Sequence, residues 1–101
     1  MDNQSKLQAK LVELLGSNNV YYQPPTSLLM KYPAIRYSKS DIDSKYANNI
    51  KYSNHNRYEL IVIDSLPDHE VIQKILSLPL SSFDRHYVQD GLNHDVITLY
   101  F

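Results

Sequence analysis

The sequence predicts an α+β domain in which a mostly antiparallel sheet of four to five strands packs with two α-helices. Three observations lead there. Two segments carry apolar residues at helical spacing, two others alternate apolar and polar residues, and an Asp-Gly pair separates two further strand-like runs. At 101 residues the chain is expected to form one domain, 1–101, with a single core of modest size. Hydrophobic residues at 43% and charged residues at 21% place it with folded chains rather than disordered ones. Nine tyrosines beside no tryptophan and two glycines favour sheets and protein interfaces, since a tyrosine ring buries while its hydroxyl still needs a partner.

The first helix is read in SKLQAKLVELLG. Ser5 and Gln8 have the spacing of a capping box, Leu7, Leu11, Leu14 and Leu15 make one apolar stripe, and Gly16 supplies a left-handed stop. NVYYQPP is a short strand closed by Pro24 and Pro25, neither of which can donate to a ladder. TSLLMKYP is a connector whose Leu28, Leu29 and Met30 are expected to plug the edge of the core. AIRYSKS follows as a strand with Ile35 and Tyr37 on one face and Arg36 and Ser38 on the other.

The polar stretch DIDSKYANNIKYSNHN is long for a hairpin connection, and such lengths accompany functional loops; the long polar hairpin loop is placed at about 41–54. RYELIVID is the clearest strand, and its apolar far end predicts a central place with cover on both faces. SLPDHEVIQKILSLP reads as the second helix. Ser65 and Asp68 are expected to cap it, Asp68 and Glu70 to favour its positive first turn, Val71, Ile72, Ile75, Leu76 and Leu78 to be buried, and Pro79 to end it. The chain closes with a hairpin around Asp90-Gly91.

Composition removes several function classes. The formal net charge is -1 and the basic residues are scattered, whereas sustained phosphate binding needs a clustered basic stripe. There is no cysteine, which excludes disulfides, thiolate metal sites and a cysteine nucleophile. No apolar run approaches the length of a membrane span, so no membrane partner is expected. Two glycines cannot build a phosphate-cradling loop, and no serine sits in a G-x-S-x-G elbow. Asp64, Asp68, His69 and Glu70 are spaced as a helix start requires, and they are read as capping rather than catalytic groups.

The closing hairpin holds the one histidine question. Placing Phe83 and Tyr87 on the core face with Ile97, Leu99 and Phe101 requires an odd loop, with Gly91 forming a bulge. That register gathers Asp84, His86 and His94 on the opposite face, where they are weak candidates for a metal. An even loop would split the histidines across the sheet. A zinc site needs three or more protein ligands with a supporting shell, and no H-E-x-x-H pattern is present. The expectation is a solvated or interface face, with no metal, no cofactor and no catalytic residue.

The order of elements resembles the small tail terminator, or tail completion, proteins of long-tailed bacteriophages. The points of likeness are the YPAIRY strand, the YELIVID strand running into a helix that begins with proline and acids, and the final ITLYF strand. The resemblance covers most of the chain and includes no catalytic signature. It implies a non-enzymatic virion protein at the head–tail junction, assembled in the bacterial cytoplasm. Copies would form a ring, usually a hexamer, on the last ring of the major tail tube protein, end tube growth and receive the head connector or stopper protein, with DNA only passing through the channel.

On that reading Asp41, Asp43, Lys45, Tyr46, Asn48, Asn49 and Lys51 are candidate interface residues on the long loop, with Asp84, Arg85 and His86 as a second candidate contact. Two other function classes remain open from sequence. One is a small monomeric or dimeric protein-binding or regulatory module. The other is a small metal-dependent hydrolase using the His86 and His94 face.

Overall fold

The computed structural model describes residues 3–40 and 56–101. Among them are two helices and a five-stranded mixed sheet that is mostly antiparallel, in agreement with the α+β expectation. In chain order these are α1 (Asn3–Leu15), β1 (Val20–Tyr22), β2 (Ala34–Lys39), β3 (Arg57–Asp64), α2 (Glu70–Leu76), β4 (Ser81–Gln89) and β5 (Leu92–Tyr100). The strands lie in the order β1-β2-β3-β5-β4. Only the β1–β2 pair is parallel. Apolar β3 occupies the centre of the sheet, where both its edges are paired.

Paired residues share a face, so the registers sort the sheet into two sides. Val20, Ile35, Val62 and Asp95 follow one another across β1, β2, β3 and β5, and so do Tyr22, Tyr37, Leu60 and Ile97. Both helices pack on this side. Leu7 and Leu11 of α1 and Val71, Ile72 and Ile75 of α2 join Ile35, Tyr37, Tyr58, Leu60, Val62, Ile97 and Leu99 in one buried cluster. On the other side Ala34, Ile63 and Val96 are also buried. There the 23–33 connector passes over the sheet, its Pro24, Leu28 and Met30 lining a cavity with Ile63 and Leu92.

Several local expectations are corrected. Ser5 lies inside α1 rather than at its cap. Gln8 reaches across instead: its Nε2 donates to the Val20 carbonyl at 3.1 Å and its Oε1 accepts from the Tyr37 hydroxyl at 2.6 Å. Fixing β1 and β2 to α1 satisfies buried polar atoms that a local box could not reach. Gly16 does end the helix in the left-handed region, at φ +81°, with its N–H donating to the Val12 carbonyl at 2.9 Å.

The second helix is capped by His69, not by Ser65 or Asp68. Its Nδ1 accepts the Val71 N–H at 3.0 Å, while Asp68 stands outside the helix at φ +56°. The helix ends at Leu76, before Pro79, and the Ser81 hydroxyl donates to the Leu78 carbonyl at 2.7 Å. Leu28 and Leu29 do not plug the helical core, since Leu28 is 41% and Leu29 92% exposed. The connector that carries them lies over the far face of the sheet, on the side that α1 and α2 leave open.

The closing hairpin differs most. Gln89 pairs with Leu92, so Asp90 and Gly91 form a two-residue loop, both with positive φ (+55° and +74°). Two successive left-handed residues give the turn whose twist matches its flanking strands. The irregularity lies within β4 instead: Phe83 pairs with Ile97 and Arg85 with Val96, leaving Asp84 as the bulged residue. The expected odd loop with a Gly91 bulge is therefore corrected. Phe83 and Ile97 share the helical side, but Tyr87 pairs with His94 on the opposite one.

Candidate interaction site

The register decides where each candidate residue points. His86 pairs with Asp95 on the helical side, whereas His94 pairs with Tyr87 on the other. The two imidazoles thus lie on opposite faces, and Asp84, His86 and His94 do not converge on one point. Among the described residues no group of three or more metal-ligating side chains comes together. The Asp84 carboxylate is instead engaged by its neighbour, with Arg85 Nη1 2.8 Å from Oδ2. Asp84, Arg85 and His86 are all exposed, on the edge strand of the sheet. Asp41, Asp43, Lys45, Tyr46, Asn48, Asn49 and Lys51 lie outside the described residues.

What the fold does assemble is a groove between α2 and β4. Its apolar walls are Ile72 and Leu76 from the helix and Phe83 from the strand, and its polar groups are Asp68, Gln73, His86 and Asp95. The apolar wall is open: Phe83 is 47% exposed, and Leu66, before α2, and Val88, further along β4, are 69% and 63% exposed. Helix α2 is only 7 residues long and packs beside the start of β4, whose 9 residues reach past it.

Asp95 sits in the floor of the groove with 8% of its surface accessible. Among the described residues its carboxylate accepts no hydrogen bond. Burial pushes its carboxyl above the ordinary value of 3.8. Positive character on His86 and His94 opposes that shift, and the Asp68 carboxylate adds to it. His86 Nε2 lies 3.1 Å from Asn93 Oδ1, so the imidazole is held along the strand rather than over the acid. An apolar wall leading to a buried acid, with an exposed one beside it, suits an aliphatic stem ending in a cation.

Sequence reasoning missed Asp95. Its signal was there: it is the charged residue in the alternation Asp95, Ile97, Leu99, which otherwise faces the core. A carboxylate in an apolar phase asks for a partner.

The opposite face is built differently. Tyr87 and His94 stack with ring centroids 4.7 Å apart and planes 15° from parallel. The Arg85 guanidinium lies 5.9 Å from the Tyr87 centroid. His94 Nδ1 is 3.0 Å from the Leu92 carbonyl, which fixes the ring in place.

Compared with protein-family models, with curated proteins and with solved structures, the chain matches none of them.

Proposed function

We propose that the chain is a non-enzymatic structural protein of a phage virion, a tail terminator whose copies form a ring on the end of the tail tube. The ring, with a hexamer as the expected number, stops tube growth and offers its free side to the head connector. The subunits assemble in the bacterial cytoplasm and remain in the neck of the particle.

The observation that carries this reading is the open apolar set at the α2–β4 end, Leu66, Phe83 and Val88. Large apolar side chains left uncovered suit contact with another protein. A ring needs contacts between unlike patches of one protein, and the two ends of this sheet are unlike. Edge strand β4 spans 9 residues beside the groove, whereas β1 at the other edge spans 3. The strand–helix order that resembles tail terminators supports the same reading.

The test is electron microscopy of polymerising tail tubes with and without the purified chain. Capped tubes of limited length, with a ring at one end, are expected. Tubes that grow unchanged and bear no extra density refute the proposal. The same apolar set also fits a small protein-binding module, and light scattering over a concentration series separates the two: that module gives a monomer or a dilution-insensitive dimer that never assembles on tubes.

A further inference from the structure

We propose that the groove between α2 and β4 receives a basic side chain from a second copy of this chain, supplied by the β2 end of its sheet. The inference rests on the ring reading in taking copies of the chain as mutual partners, and it adds which surfaces meet.

The groove holds two acids, Asp68 and Asp95, that form no ion pair with a described lysine or arginine. At the groove end Lys74 is engaged by Glu70 at 3.7 Å and Arg85 by Asp84 at 2.8 Å, and the His86 ring, which faces the groove, lies 3.1 Å from Asn93 Oδ1. Asp68 and Asp95 are left, and Asp95 is a nine-tenths buried carboxylate with no hydrogen-bond donor among the described residues. A buried acid without a donor costs free energy that an incoming cation would recover. Ile72, Leu76 and Phe83 beside it form the apolar wall along which the methylenes of a lysine or arginine lie.

The other end of the sheet carries the complement. Lys31, Arg36 and Lys39 form no ion pair with a described residue. They stand on β2 and on the connector that enters it, and β2 lies three places from β4 in the order β1-β2-β3-β5-β4. A molecule with unpaired acids at one end and unpaired cations at the other is complementary to itself head to tail. A head-to-tail contact closes rings rather than pairs. Bulged Asp84 in the middle of β4 supports the same geometry. A charged bulge disfavours continuous strand pairing along an edge, so the groove rather than the bare edge takes the contact.

The absence of cysteine permits a direct test. A nitroxide is attached to a Lys39→Cys chain, which keeps Lys31 and Arg36, and this chain is mixed at millimolar concentration with nitrogen-15-labelled protein. Attenuated amide signals at Gln73, Leu76, Phe83 and His86 of the labelled copy are expected. Asp68→Asn with Asp95→Asn in the labelled copy should abolish the attenuation and weaken self-association by about tenfold or more, as when one partner of a desolvated charge pair is removed. Urea midpoints confirm that this variant folds.

Attenuation elsewhere, or none, overturns the inference, as does attenuation that survives loss of both acids. If capped tubes still form in that case, the ring reading stands without this contact. If the groove signals respond but tubes are never capped, the contact stands and the ring reading falls.

Discussion

Tyr87 and His94 lie flat against each other, centroids 4.7 Å apart, on the face of the sheet away from both helices. The stack is a consequence of the even Asp90-Gly91 loop, and it commits His94 to an aromatic partner while His86 faces the groove. A stacked pair contributes about 0.5–1.5 kcal/mol beyond its buried area. A double-mutant cycle of Tyr87→Leu and His94→Leu, followed by urea unfolding, is expected to return a coupling of that size. Additive effects would mean that the rings do not interact in solution.

Tyr37 ties the helix to the sheet. Its hydroxyl donates to Gln8 Oε1 at 2.6 Å and accepts from Gln4 Nε2 at 2.8 Å, and only 1% of the residue is exposed. Tyr37→Phe removes both bonds and is expected to cost about 1–2 kcal/mol, read from the urea midpoint. Burial is the main cause that raises the Tyr37 hydroxyl above the ordinary value of 10.0, with the bond from Gln4 opposing it. The folded chain therefore holds this proton after the unfolded chain has lost it. Stability falls as pH rises from about 10, and the Phe variant lacks that fall.

The same linkage applies to Asp95 at acid pH. The unfolded chain ionises this group near 3.8, and the folded chain does so later, because burial outweighs the help of His86 and His94 and Asp68 adds repulsion. Between those two points the native state binds more protons, so stability declines as pH rises and the penalty persists above the native pKa. Asp95→Asn is therefore expected to raise the urea midpoint at about pH 7 and to change it little at about pH 3. An Asn variant less stable at neutral pH would show that the carboxylate is held by a favourable partner within the subunit.

His69 caps α2 through Nδ1, 3.0 Å from the Val71 N–H. His69→Ala should cost about 0.5–2 kcal/mol, and His69→Ser or His69→Asn, which keep an acceptor, should recover most of it. Equal losses in Ala and Ser variants would assign the effect to packing of the ring.

Gly91 has φ +74° and open space where a Cβ would stand, so Gly91→Ala meets no clash and reports backbone strain alone. The expected loss is about 1 kcal/mol. Deleting Asp84 removes the bulged residue and leaves Phe83–Ile97 and Arg85–Val96 as consecutive pairs, so residues 81–83 keep their faces. Ser81 then keeps its bond to the Leu78 carbonyl, and the urea midpoint should change less than for Gly91→Ala; a larger fall would show that the bulge itself is needed.

Elements whose causes are local could be read along the chain. Helical spacing placed Leu7 and Leu11, and Val71 and Ile75, on buried stripes; alternation placed Ile35 and Tyr37 together; the uninterrupted apolar end of β3 marked the middle of the sheet. Tertiary structure decided everything that turns on one residue of register. Gly91 was legible as a turn, but a bulge at Gly91 and one at Asp84 satisfy the same local rules and send Tyr87 to opposite faces. The choice lies with side chains distant in sequence: Phe83 against Ile97, Tyr87 against His94, and the Ser81 hydroxyl on the end of α2. A period of two makes a strand readable along its length and silent about its phase, and phase is what put Asp95 beneath α2.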